Sequence, residues 1–159
     1  MFGILRKWSQ LGSLPAELRE QFEAEGVIYL SGRVGVNRHF SGHVPGVYSA
    51  SGVARYRGAF AFSKTRIVAT FPTRADPAMR SVDCGWDSRT GPARASITDK
   101  GLSIKIDLPA VDRVFSGTME LNYKKHIDDE VLQQLPAKEL AFPLDPVFVY
   151  RAAGVRPPK

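Results

Sequence analysis

From residue 53 to residue 70 the chain reads VARYRGAFAFSKTRIVAT, and an alternation of period two runs on both sides of SKTR. Such alternation sends successive side chains to opposite faces of a strand. With residues 63–66 as a hairpin connection, Phe62 lies opposite Ile67, Phe60 opposite Ala69 and Gly58 opposite Phe71. One face of the hairpin is then strongly apolar, with Tyr56 further back along it. The other face carries Ala59, Ala61, Val68 and Thr70, small and mildly apolar, which calls for partial cover by a helix. Arg55 and Arg57 point away from Tyr56 and Phe60, because burying an unpaired charge is very costly. A chain organised around this hairpin builds an antiparallel sheet with its core on one side.

The flanking sequence extends the pattern. Phe2, Leu5, Trp8 and Leu11 give the first residues a helical stripe, and Leu14, Leu18 and Phe22 give another over SLPAELREQFEAEG. Ser13 suits its N-cap, Pro15 its first turn and Gly26 its C-terminal cap. In VIYLSGRVGV the period becomes two, with Ile28, Leu30, Val34 and Val36 on one face, and NRHFSGHVPG reads as a loop. RSVDCGW reads as a short strand. ARASIT and LSIKIDL form a hairpin around Asp99, Lys100 and Gly101, with Leu102, Ile104, Ile106 and Leu108 inward and Lys105 and Asp107 outward. GTMELNY is a further strand. Ile127, Val131, Leu132 and Leu135 make a helical stripe that begins with acids, as the helix dipole favours, and ends at Pro136. PVFVYR reads as a last strand before a loose tail. The expected class is α+β, mainly antiparallel β, a small bent barrel with a helical lead-in over 1–26, a barrel with its closing helix over 27–136 and an extension over 137–159.

Charge is unevenly distributed. Of the formal net charge of +6, the first 94 residues hold 13 Lys and Arg against 7 Asp and Glu, and the remainder is balanced. Residues 26–75 contain no carboxylate at all, yet carry Arg33, Arg38, Arg55, Arg57, Lys64, Arg66 and Arg74 with His39 and His43. A positive surface that meets phosphate or another anion is one consequence; a solvated stretch poor in acidic positions is the plainer one. The single Cys84 excludes an internal disulfide framework and suits a reducing compartment. The opening MFGILRKW lacks the apolar stretch of a secretory signal, and no run approaches the length of a membrane span. The expected location is the cytoplasm, with peripheral contact to a membrane, which MFGILRKWSQL also suits through its apolar side and Arg6 and Lys7.

GAFAFSKTRIVAT resembles the G-x-L-x-L-T-x-x-R-L pattern of bacterial PH-like and GRAM-like domains in the pleckstrin-homology superfamily, with Gly58, Phe60, Phe62, Arg66 and Ile67 at the matching positions and Ser63 where that pattern has Thr. The layout, strands followed by an amphipathic helix, is similar over residues 27–135. The resemblance implies a bent barrel plugged at one end by its helix. In members that bind lipid headgroups, cations near the open end of the first strands do so, which implies a role for Arg33, Arg38, Arg55 and Arg57; many members bind proteins instead.

No catalytic constellation emerges. His39 and His43 lack a third ligand nearby, Cys84 lacks a histidine partner, and Asp83 and Asp87 flank Trp86 without a visible cleft. Neither cofactor nor metal is expected. The reading is a non-enzymatic module that engages an anionic surface or a protein partner through Arg33, Arg38, His39, Arg55, Arg57 and Lys64, since Arg suits bidentate phosphate contacts. Arg66, at the turn, is assigned a structural hydrogen-bonding role. The alternative is a lipocalin-like carrier, which would need a cavity inside the barrel where Phe60, Phe62, Ile104 and Leu132 would otherwise sit. Nucleic-acid binding ranks lower, with only Phe40, Tyr48 and Tyr56 available for stacking.

Overall fold

A computed structural model of the chain describes residues 14–158. The expected stripe over 1–12 and the Ser13 cap lie outside the described residues. The elements are α1 (Ala16–Glu25), β1 (Val27–Leu30), β2 (Val34–Val44), β3 (Val47–Ser63), β4 (Arg66–Thr70), β5 (Arg80–Gly85), β6 (Ala93–Thr98), β7 (Gly101–Asp107), α2 (Leu108–Val111), β8 (Ser116–Lys124), α3 (Asp129–Gln134), β9 (Glu139–Phe142) and α4 (Pro146–Ala152).

The strands form a nearly closed antiparallel barrel in the order β5-β4-β3-β2-β8-β7-β6-β9, with β1 added to β3. The long β3 serves both halves: its first part pairs with β2, and its last residues pair with β4 and β1. The hairpin register is the expected one, Phe62 opposite Ile67 and Phe60 opposite Ala69. At the far seam the chain after β5 meets β9: the Ser88 hydroxyl donates to the Ala141 carbonyl at 2.6 Å, and Ala141 N–H donates to the Ser88 carbonyl.

Phe60, Phe62, Phe71, Ile104, Leu121 and Tyr123 fill the interior and are buried. Tyr123 ties the two halves together. Its hydroxyl donates to the Thr70 carbonyl at 2.8 Å and lies 2.6 Å from Ser81 Oγ, and burial pushes its ionisation far above the usual tyrosine range. It therefore acts as a neutral hydrogen-bonding group inside an apolar core.

Four expectations need correction. Residues 37–46, read as a loop, belong to β2 as far as Val44; its inward Val36, Phe40 and Val44 are buried and the turn is confined to residues 45–46. VIYLSGRVGV is broken into two strands, and an irregularity between Val27 and Tyr29 changes the side to which β1 points. Tyr29 consequently reaches Phe60 and Phe62, each at 5.9 Å between ring centres, while Leu30 packs on the α1 side. The helix after β8 is only six residues long, and Ile127 and Leu135, which are buried, flank it rather than lie in it. PVFVYR is the helix α4, started by Asp145, whose carboxylate accepts from Val147 N–H, with Pro146 in the first turn. Phe148 of α4 packs against Phe71, and Tyr150 packs edge-on against Phe115. Residues 137–158, expected as an extension, thus add a strand and a helix to the principal core.

The small face of the hairpin is covered by a helix, as its composition required. Leu14, Leu18 and Phe22 pack on Ala59, Ala61 and Val68 in a cluster separate from the barrel interior. Arg66 fastens this cover. Its Nε donates to both oxygens of Glu25 at 3.0 Å, Nη1 to Asp83 and Nη2 to Gln21, and its guanidinium lies 4.8 Å from the Phe22 ring centre. The hydrogen bonds from Arg66 hold the Glu25 carboxyl below its usual range, although burial opposes them. A carboxyl lowered in the folded state stabilises above its unfolded value and loses that contribution as pH falls through its folded value. Glu25→Gln is therefore expected to flatten the acid side of the melting-temperature profile below about pH 4.3. Arg66→Ala is expected to cost about 2 kcal/mol in urea unfolding at neutral pH, after allowance for partial exposure.

Candidate functional site

The side of the barrel facing away from the core is built by alternation. Along β3, β2, β8, β7, β6 and β9, each inward apolar residue alternates with an outward one, and the pairings align the outward residues into cross-strand rows. One row runs Arg57, Gly35, Lys124, Gly101; the next Arg55, Asn37, Asn122, Ser103, Ser96, Glu139; the third Val53, His39, Glu120, Lys105, Arg94, Ala141. The middle row is mostly amide and hydroxyl groups, and cations border it on both sides.

Three depressions mark this face, the third lined by Arg94, Lys105, Asp107, Thr118 and Glu120. Arg55, Arg57 and Lys124 line the first together with Gly35, Asn37 and Tyr56. Arg94, Lys105 and Arg89 line the second with Ser96, Ser103 and Glu139. Arg94 stands directly opposite Lys105 across the β6–β7 pair. Like charges so placed are unfavourable for the sheet. Arg55, Arg57, Arg94, Lys105 and Lys124 form no side-chain hydrogen bond or ion pair among the described residues. Three carboxylates share the face: Glu120, which accepts from Ser103 Oγ at 3.3 Å and stands opposite Lys105, Glu139, and Asp107 at the end of β7.

The residues singled out in the sequence are not all brought together. Arg55 and Arg57 share the first depression, and His39 lies on the same face in the third row. Arg33 is exposed in the bend before β2. Lys64 sits in the β3–β4 turn, its stem against Gly26 at the end of α1, seven residues along the strand from Arg57. Arg38 goes the other way. It shares the inward side of β2 with Val36 and Phe40; its guanidinium lies 5.7 Å from the Tyr56 ring centre and donates to the Ala152 carbonyl at the end of α4. A cation there meets the negative end of the helix and the unsatisfied carbonyls of its last turn. Arg38 is thus an internal tie for α4, apart from the outward cations.

Sequence reasoning missed Lys124, Arg94 and Lys105 as partners of Arg55 and Arg57. Reading Arg94 across from Lys105 needed only the register of the 93–107 hairpin. Lys124 needed the β2–β8 pairing, which no local pattern announces. Cys84 is half-buried, and burial is the main reason that its thiol is pushed up; such a thiol is a poor nucleophile at neutral pH. No group of three or more metal-binding side chains converges, and no helix is long and apolar enough to cross a membrane, among the described residues. No family model, curated protein or solved structure matches the chain.

Proposed function

We propose that this protein is a non-catalytic binding module that docks the outward face of its barrel on a phosphate-bearing anionic surface, a membrane with acidic headgroups. The observation that carries this reading is that Arg55, Arg57, Lys124, Arg94 and Lys105 share one face and form no side-chain hydrogen bond or ion pair among the described residues, with Arg94 and Lys105 directly opposed. Glu120 stands opposite Lys105 on β8 without forming an ion pair with it, and an external anion relieves the opposed cations further. The amide and hydroxyl row between the cations supplies neutral donors to oxygens of the same surface. The filled interior, with Phe60, Phe62 and Ile104 buried, weighs for docking on the outside over carriage of an apolar ligand within. The barrel and the motif containing Arg66 keep the pleckstrin-homology likeness as part of the proposal.

Co-sedimentation with phosphatidylcholine vesicles, with and without phosphatidylglycerol, tests it. Binding is expected only to the acidic vesicles and falls as salt shortens the screening length from about 10 Å at 0.1 M. Joint Arg55→Glu and Arg57→Glu replacement is expected to weaken binding about a hundredfold, since each charge-assisted contact contributes about 1.5–3 kcal/mol. Both residues point outward, so the melting temperature should hold. Equal binding to both vesicle types, no binding to either, or indifference to the charge reversal would each sink the proposal.

A further inference from the structure

Gly35 lies within β2, where a glycine weakens a strand by about 0.5–1 kcal/mol relative to alanine. The fold does not explain it. Gly35 is absent from the glycines with positive φ, and a Cβ placed on it would meet no atom within 4 Å. Elsewhere the structure does demand glycine: a Cβ on Gly117, at φ +87°, would strike the Ser41 carbonyl, and one on Gly58 would strike the Thr70 carbonyl. A strand glycine that neither conformation nor packing requires marks a place where something external comes close to the backbone.

Its neighbours identify the chemistry. Gly35 is paired with Arg57 on one side and Lys124 on the other. Neighbouring strands lie about 4.8 Å apart, so the two cations rise about 10 Å from each other with bare backbone between them. Asn37 and Arg55 border the same depression. Its row holds no carboxylate; Glu120 lies in the third row. We infer that Gly35 is the floor of a seat for a single phosphate group, held from its two sides by Arg57 and Lys124. The Arg57 guanidinium takes two phosphate oxygens in its planar fork, and the Lys124 ammonium takes a third as a compact charge. Asn37 offers a neutral donor. A side chain at position 35 would occupy the space that the phosphate needs.

This seat rests on the proposed docking face, and deepens it by naming the group received. The same phosphate chemistry is presented by a lipid headgroup or by a free polyphosphate. The full chain and its Gly35→Ala and Gly35→Val variants are titrated with inorganic tripolyphosphate by calorimetry, and sedimented with the vesicles described above. Both variants are expected to melt at or above the parent temperature, because the space is open and valine suits a strand. Gly35→Val is expected to weaken tripolyphosphate binding about tenfold, equivalent to 1.4 kcal/mol, as far as Arg57→Ala does. Loss on both probes supports a seat used by headgroups. Loss on tripolyphosphate, in a chain that ignores vesicles, supports a seat for a free phosphate and overturns the membrane reading. A folded Gly35→Val protein that binds both probes like the parent overturns the seat, while vesicle binding sensitive to Arg55→Glu and Arg57→Glu leaves the docking face standing. Absence of tripolyphosphate binding in the parent, or a lowered melting temperature for Gly35→Ala, also overturns it.

Discussion

Gly58→Ala is expected to lower stability by about 3 kcal/mol, the upper end of what overpacking a core costs. Gly58 is the residue at which β3 leaves its pairing with β2 and takes up β4. A Cβ there presses into the Thr70 carbonyl oxygen and approaches the Tyr123 ring to 3.1 Å. Neither obstacle is the free end of a flexible side chain. That carbonyl also accepts the Tyr123 hydroxyl, so moving it loosens a buried polar tie between the two halves of the barrel. Urea unfolding reads the effect as a lowered midpoint at unchanged slope. Because the alanine and a Tyr123→Phe replacement damage the same hydrogen bond, their combined cost should fall short of the sum of the two.

The second large effect concerns the interior itself. Phe60 is wholly buried and lies 5.3 Å from the ring centre of Phe62, 5.9 Å from Tyr29 and 6.1 Å, edge-on, from Tyr123. Phe60→Ala removes the ring that all three share, and is expected to cost about 3–5 kcal/mol through lost transfer free energy and the cavity left behind. Domains of this size are stable by about 5–15 kcal/mol, so such a loss is a large part of the whole. Phe60→Leu, which keeps most of the volume, should cost less than half as much. A thermal or urea series over the three proteins checks the ordering. Equal stability of the alanine protein and the parent would mean that the interior is not packed as described.

How far these features were legible depends on how local their cause is. The hairpin through Phe62 and Ile67 was readable because both strands alternate cleanly and a short polar turn separates them. The helix cover followed from the same stretch, since Ala59, Ala61 and Val68 are too apolar for open solvent, and Leu14, Leu18 and Phe22 matched them. β2 was not readable over 37–44. Its outward positions there are Asn37, His39, Ser41 and His43, and one inward position is Arg38, which thins the apolar signal to Phe40 and Val44. Nothing near Arg38 shows that it belongs inside, because its acceptor, the Ala152 carbonyl, is 114 residues away. α4 was misread as a strand because Phe148, Val149 and Tyr150 are all buried, leaving no stripe from which a helical period can be taken.

The candidate face shows the same division. Counting carboxylates along the chain found Arg55 and Arg57, since residues 26–75 hold none. It could not find Lys124, Arg94 and Lys105, which lie among acids in sequence and beside cations in space. Gly35 stood in the sequence as one glycine among 14. Its distinction is the open space above it and the two cations that flank it, and both arise only from the β2–β3 and β2–β8 pairings.

The account turns on whether the outward rows meet an anionic surface. The most direct measurement is backbone amide mapping by nuclear magnetic resonance as phosphatidylcholine bicelles containing phosphatidylglycerol are added at low salt. The account predicts shifts concentrated at Gly35, Asn37, Arg55, Arg57 and Lys124, with weaker ones at Arg94 and Lys105, all reversed by added salt. Shifts centred instead on the inward positions of Phe60, Ile104 and Tyr123, or no shifts at any concentration, would contradict it.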